Sequence, residues 1–340
     1  MRKIKLVTLK DISEYCGVSN STVSKALNGQ KDISKQTAQR VRDAAQKLGY
    51  LPNSAARSLK TNKTLNIGVL FVDKTSSGLR HEYFSGMLES IKSAAESKGY
   101  DITFISRNLG ERQMSFYEHA KYRGCDGVVI ASVDFSNPDV IELVNSEIPT
   151  VTVDYVYDRC SSVLSDNLDG MKQIAEYVFS KGHRRVAVIH GENTSVTQKR
   201  MASFRSTCKR LGLILDEKLI KEARYHDPKL SALATREFLD LDDRPTCIIY
   251  PDDFSFIGGK NIIEQRGLKV PDDISVIGYD GILLSQILRP KLTTYKQNSV
   301  EIGKIAVQKL IEQIEEPSLS IPEIISVTGK LLKGETVKEL

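Results

Sequence analysis

Val7 to Asn28 run VTLKDISEYCGVSNSTVSKALN, two short helix-like segments joined by a tight turn. Leu9, Ile12, Tyr15 and Cys16 recur at three- and four-residue spacing, which predicts a helix with one apolar face. Gly17 supplies the turn. Ser19 is placed to cap the next helix, because its hydroxyl can accept a free backbone N–H. Val23, Ala26 and Leu27 then face inward, leaving Asn20, Ser21, Thr22, Ser24 and Lys25 outward. A helix whose exposed start is short, polar and cationic suits insertion into the major groove of DNA. The same pattern also fits a solvated helical hairpin, so the charge distribution matters.

Residues 1–63 hold thirteen Lys or Arg against four Asp or Glu, a balance of +9. The whole chain has 48 and 43, which leaves 35 and 39 for residues 64–340, a balance of −4. All the excess positive charge therefore sits in the first fifth of the chain. This is the footprint of a nucleic-acid-binding module joined to an acidic globular body. Ser34 starts a third helix, with Val41, Ala44, Ala45 and Leu48 at helical spacing and Gly49 at its end. Pro52 or Asn53 can open one more helix, too brief and polar to be stable alone, that folds on DNA or against a second copy. Leu59 beside Lys60 reads either as an apolar wedge with a minor-groove or phosphate contact, or as a linker leucine packing on the body.

Beyond residue 64, apolar strand-like runs alternate with helical segments of ten to twenty residues: 65–72, 102–106, 127–131 and 150–154, then 186–190, 219–225, 247–250 and 275–279. Such alternation predicts right-handed βαβ units and parallel sheets covered on both faces. The length exceeds one comfortable sheet, so two doubly wound α/β lobes are expected, with ligand bound in the cleft at the carboxyl ends of strands. No run approaches ~18 apolar residues, and the basic start lacks an apolar stretch, so neither a membrane span nor a secretory signal is expected. Five scattered cysteines predict reduced thiols in a cytoplasm. No cysteine lies in a C-x-x-C pair and the five histidines show no ligand spacing, so no metal is expected. The chain lacks a glycine-rich phosphate cradle after its first strand, a P-loop and a G-x-S-x-G elbow. The paired carboxylates Asp252-Asp253 and Asp272-Asp273 are explained by a helix start or a turn. No catalytic residue and no cofactor is expected; binding is favoured over catalysis.

The run VTLKDISEYCGVSNSTVSKALNG, followed by YLPNSAARSLKTNKTLNIGVL, resembles the N-terminus of the lactose-repressor/galactose-repressor (LacI/GalR) family. The likeness extends to KGHRRV at 181–186, PDDISVIGYD at 271–280 and PKLTT at 290–294. It implies a homodimeric transcription factor that binds double-stranded operator DNA and carries a periplasmic-binding-protein-like body. The implied organisation is a helix-turn-helix headpiece at 1–50 and a hinge helix with linker at 51–63. An N-terminal lobe would span 64–163 plus about 296–322, and a C-terminal lobe 164–295 plus about 323–340. The segment 292–327 would cross back between the lobes.

Position by position, the resemblance places base reading on Asn20, Ser21 and Lys25, since Asn pairs with adenine, Lys with guanine acceptors and Ser with either. Thr22, Ser24 and Asn28 match phosphate contacts, which orient without specifying. Leu59 matches the leucine that enters the central minor groove, with Lys60 its neighbour. Effector contacts fall on Tyr83, Phe84, Asp154, Asp166, Arg200, Tyr225 and Asp253. Core packing competes for Tyr83, Phe84 and Tyr225, and helix or turn capping for Asp154 and Asp166. A planar stacker with charged bidentate partners suits a sugar, apolar on one face and hydroxylated at its rim. Members of the family mostly repress sugar-utilisation genes, so the resemblance implies a sugar as the small-molecule effector and a repressor of carbohydrate-utilisation genes as the role. Residues 191–196 hold few bulky or cationic groups, against a purine-type effector. The tail 328–340 lacks leucine heptads, which favours a dimer over a tetramer. The competing reading is a soluble sugar-binding protein or α/β enzyme with a helical N-terminal appendage.

Overall fold

The computed structural model describes residues 7–30, 32–51, 63–72 and 81–340. Leu59 and Lys60, the expected minor-groove pair, lie outside the described residues. The chain divides into two units, Met1–Thr64 and Leu65–Leu340.

In the first unit, α1 (Leu9–Cys16), α2 (Asn20–Leu27) and α3 (Lys35–Leu48) enclose a core of Ile12, Val23, Ala26, Val41, Ala44 and Ala45. Each helix starts on a side-chain cap. Thr8 and Asp11 form a reciprocal capping box on α1, and Ser19 Oγ accepts from Thr22 N at 3.1 Å at the start of α2. Ser34 Oγ accepts from Thr37 N at 3.1 Å at the start of α3. Such caps satisfy N–H groups that the helix itself leaves open. Gly17 sits at φ 64°, the left-handed conformation that lets α1 turn sharply into α2. Tyr15 departs from the expected apolar face: it is 53% exposed, and Lys47 Nζ donates to its hydroxyl at 2.9 Å. Aliphatic side chains fill so small a core, and the phenol is held at its rim.

The second unit is two lobes of one design. In the N-terminal lobe the strands are β1 (Asn66–Phe71), β2 (Asp101–Ile105), β5 (Gly127–Ser132), β6 (Thr150–Val153), β7 (Ser161–Ser165) and β13 (Ile324–Val327). They form a parallel sheet in the order β13-β7-β6-β5-β1-β2. A two-stranded ribbon, β3 (Asn108–Leu109) with β4 (Arg112–Gln113), lies outside it. In the C-terminal lobe β8 (Val186–His190), β9 (Ile220–Glu222), β10 (Cys247–Ile249), β11 (Ser275–Asp280), β12 (Thr293–Lys296) and β14 (Lys330–Leu332) take the order β14-β12-β11-β10-β8-β9. Only β14 runs antiparallel in that sheet.

Successive strand residues point to opposite faces, so each apolar strand feeds two cores. Ile67, Val69 and Val129 pack against α4 (Glu82–Ser97) and α12 (Ser299–Glu315). Leu70, Val128 and Ile130 pack against α5 (Phe116–Tyr122) and α6 (Pro138–Asn145). In the second lobe Ile189, Ile248 and Val276 meet α9 (Pro228–Leu239) and α10 (Phe256–Gln265). Val188, Ile249 and Ile277 meet α7 (Asn167–Ser180) and α8 (Ser195–Arg210). A short α11 (Leu283–Ile287) follows β11.

The lobe boundaries differ from expectation. β7 belongs wholly to the first sheet, so that lobe runs to Ser165 rather than 163. β13 pairs in parallel with β7, from Ile324 with Ser162 to Val327 with Ser165, so residues 324–327 are in the N-terminal lobe. The last crossing falls between Val327 and Lys330, a few residues later than 322, because the edge of the first sheet is completed before the chain leaves it.

Candidate functional site

The first unit presents a polar helix start. Asn20 and Ser21 are exposed at the beginning of α2, and Thr22, Ser24 and Lys25 are half-buried. Thr22 Oγ1 and Ser19 Oγ share a hydrogen bond of 2.9 Å. Lys25 Nζ pairs with Asp32, whose carboxyl the lysine hydrogen bond lowers below its ordinary value. Asn28 Nδ2 donates to Ser24 O at 2.7 Å and closes the helix. The six residues expected to read bases or hold phosphates from the headpiece thus share one helix and its C-terminal cap.

In both sheets of the second unit the strand order reverses beside the first strand of the lobe, between β1 and β5 and between β8 and β10. Doubly wound sheets bind ligands at such points, beyond the carboxyl ends of their strands. A cavity of about 780 Å³ lies there between the lobes. The first lobe contributes Tyr83 and Phe84 from α4, residues 131–136 from the end of β5 and the turn after it, and Asp154 and Tyr155 after β6. The second contributes residues 192–196, Gln198 and Arg200 of α8, Tyr225, His226, Asp280 and Gln297.

Arg200 is 6% exposed. Its Nε donates to Asn167 Oδ1 at 2.8 Å and Nη1 to Pro251 O at 3.0 Å, and its guanidinium lies 3.5 Å from the Tyr279 ring centroid. Burial works against the charge, but Tyr225, Tyr279, Asp280 and Asp154 outweigh it, so Arg200 stays protonated. Asp154 Oδ1 accepts from Ser165 N at 2.6 Å, and Tyr83 Oη donates to Asp154 Oδ2 at 3.3 Å. Burial raises the Asp154 carboxyl despite those donors and the nearby Arg200. Tyr225 Oη and Thr197 Oγ1 share a hydrogen bond of 2.8 Å. Opposite them Phe135 and Tyr155 stack at 4.5 Å with an interplanar angle of 3°. Gln297 Nε2 donates to Asp280 Oδ1 at 2.6 Å, while its buried Oε1 accepts from no donor among the described residues.

Five of the seven expected effector residues line this cavity: Tyr83, Phe84, Asp154, Arg200 and Tyr225. Two do not. Asp253 is fully buried, accepting from Ile282 N at 2.9 Å and Thr294 Oγ1 at 2.6 Å, so it ties α11 and β12 to the lobe rather than facing the cleft. Asp166 caps α7, accepting from Asp169 N at 3.0 Å, and lies away from the cavity. A carboxylate that does face the ligand space, beside Asp154, is Asp280, at the end of β11, where strand-end reasoning could have found it. Phe135, Tyr155, Gln297 and His226 were also missed, because they sit in connections with no periodicity.

The backbone is held in the left-handed region at three cavity-lining residues, Asp154 (φ 58°), His226 (φ 57°) and Asp280 (φ 99°). Such strain in residues other than glycine gathers at functional sites. The two lobes also touch directly. Ser195 Oγ donates to Asp154 O at 2.9 Å, and the Glu82 carboxylate accepts from Leu283 N at 2.8 Å.

Residues 8–53 match the model of bacterial regulatory proteins of the lacI family, and residues 175–337 that of the periplasmic binding protein-like domain. The probable HTH-type transcriptional repressor ExuR of Bacillus subtilis (strain 168) is 30% identical over 98% of this chain and 99% of its own length. The HTH-type transcriptional repressor PurR of Vibrio campbellii is 29% identical over 98% of this chain and all of its own. Among solved structures, the lac repressor dimer bound to operator and the anti-inducer ONPF superposes with a TM-score of 0.82 at 26% identity, covering 98% of this chain and 100% of that one. A transcriptional regulator CelR–cellobiose complex shares the fold at a TM-score of 0.72 and 22% identity, over 97% of this chain and 99% of that one. Likeness to repressors along the whole chain sets aside both the binding-protein and the enzyme reading. The chain belongs to the lacI family of bacterial regulatory proteins and is a DNA-binding transcriptional repressor, not an enzyme.

Proposed function

We propose that this chain works in the cytoplasm as a homodimeric repressor of carbohydrate-utilisation genes, its operator affinity set by a sugar held between the lobes. The observation that carries the sugar is the cavity lining. The flat Phe135–Tyr155 stack offers a face for the apolar side of a pyranose or furanose ring. Arg200, Asp280 and the unpaired Gln297 Oε1 offer donors and acceptors for its hydroxyl rim. Such a ring of polar groups around an aromatic wall would be wasted on a purely apolar ligand. The solved lac repressor is a dimer on operator DNA, and a lacI-family regulator from Enterococcus faecium is solved with bound ribose, which supports both partners.

On DNA, Asn20, Ser21 and Lys25 read base edges while Thr22, Ser24 and Asn28 hold phosphates. Leu59 and Lys60 enter the minor groove at the operator centre. Sugar binding changes the angle between the lobes and thereby the spacing of the two headpieces, so operator and sugar are thermodynamically coupled. Fluorescence anisotropy on a promoter fragment from the protein's own genome, with and without a panel of mono- and disaccharides, tests this. One sugar should shift operator affinity at least tenfold in the full-length protein, and Arg200→Ala should abolish the shift while operator binding persists. Equal affinity for scrambled duplex, or no sugar that shifts it, would overturn the proposal.

A further inference from the structure

At one end of the cavity, ligand-type side chains from both lobes meet. His81 precedes α4 in the first lobe; His226, Asp252 and Asp280 belong to the second. One ligand atom from each of His81, His226 and Asp252 lies within 4.8 Å of the others. His226 Nδ1 is 3.6 Å from Asp252 Oδ1, and His81 Nε2 is 3.9 Å from Asp280 Oδ2. The two imidazoles are in contact, their centroids 3.6 Å apart. The side chains of His81 and Asp280 are 4% and 5% exposed, His226 10% and Asp252 not at all.

We propose that His81, His226 and Asp252 form a binding site for a divalent transition-metal ion of the zinc type that joins the two lobes, with solvent in the remaining position. The donor set is two imidazoles and carboxylate oxygen, which suits zinc, nickel or iron(II) and not the all-oxygen preference of calcium or magnesium. Ligand atoms stand about 2.0–2.2 Å from such an ion, so neighbours on a tetrahedron lie roughly 3.3 Å apart. The separations among His81, His226 and Asp252 exceed that by a few tenths of an ångström up to about 1.5 Å, so the ion draws His81 and its lobe inward. Hydrogen bonds behind the ligands hold the second-lobe half of the site. Asp252 Oδ2 accepts from His226 N at 2.9 Å and Ser255 Oγ at 2.7 Å, and Oδ1 from Ser255 N at 2.7 Å, which fixes the carboxylate. The strained φ of 57° at His226 is the conformation that brings its imidazole back over Asp252. Metal is then a second ligand of the closed arrangement, independent of the sugar's identity.

The test uses the full chain and no sugar or DNA, so it stands apart from the effector assignment. Cobalt(II) is added to the protein and its visible absorption followed, with zinc uptake measured by equilibrium dialysis. The expected result is one ion per chain, a tetrahedral d–d spectrum and no thiolate charge-transfer band. His81→Gln and His226→Asn should each weaken binding at least about tenfold. The asparagine tolerates the left-handed backbone, and the two changes lie in different lobes, so circular dichroism will identify a variant that misfolds and leave the other to decide. Should neither fold, the wild-type spectrum decides alone. No uptake at 100 µM metal (about the weakest affinity a resident ion would need), a thiolate band, or variants that bind like wild type would sink the site.

Discussion

The carboxyl of Asp253 meets Ile282 N and Thr294 Oγ1, and is pushed well above its ordinary value by burial first and by Asp280 second. Its neighbour Asp252 goes the other way: burial works to raise it, but the His226 contacts outweigh that and hold it below the usual carboxylate range. For a raised carboxyl, the stability it contributes is complete below its unfolded value and is lost as pH climbs through the folded one. Asparagine at 253 escapes that loss and can still accept from Ile282 N while donating to Thr294. Asp253→Asn should therefore match or exceed wild-type stability in urea at pH 7. Asp253→Ala should lose about 2–4 kcal/mol, since two buried donors are left without an acceptor. In neither variant should the intrinsic sugar contacts change. A folded Asp253→Asn protein blind to every sugar would restore Asp253 to the cleft.

Among the elements, α10 leaves no room for a side chain at Gly258, where a β-carbon would stand 1.7 Å from Pro228 O at the start of α9. The obstacle is backbone, which cannot rotate away. Gly258→Ala should cost about 3 kcal/mol or more and melt the C-terminal lobe early in a urea titration. Gly86 in α4 is the contrast: its nearest neighbour would be Ser299 Oγ at 3.2 Å, the end of a movable side chain. Gly86→Ala should leave stability unchanged or raise it by about 0.5–1 kcal/mol through the unfolded state. Reading elements from sequence succeeds where a strand is apolar, as for β1, β5 and β8. It misses β7, because Ser161, Ser162 and Ser165 look like a turn although the whole strand is buried. Their hydroxyls find partners that only the fold supplies, such as Thr152 Oγ1 at 2.9 Å from Ser162 Oγ.

Across the whole second unit, the ties between lobes decide how readily the cleft closes. Glu82 places its carboxylate at the N-terminus of α11, accepting from Leu283 N across the gap. The pair is exposed, so its worth is modest, about 0.5–1 kcal/mol. Glu82→Ala removes it without touching the cavity wall. Sugar affinity measured by calorimetry should fall about twofold to fivefold as the closed population shrinks, with the enthalpy of the direct contacts retained. An unchanged affinity would mean that Glu82 bridges the lobes equally in open and closed forms.

The sequence alone determined the three-helix head, its Ser19 and Ser34 caps and its outward polar face, because capping and helical periodicity are local. It also determined the two rounds of alternating strand and helix, since burial on both faces of a sheet demands continuous apolar runs. Five cleft residues were legible on the same footing with the family resemblance. Only the tertiary structure decided that Asp280 rather than Asp253 faces the ligand space, because which neighbour points inward depends on how β11, β12 and α11 close around it. Likewise His81, His226 and Asp252 are scattered in sequence and come within reach of one another only when two lobes fold face to face. Proximity across a cleft leaves no periodic trace in the chain that builds it.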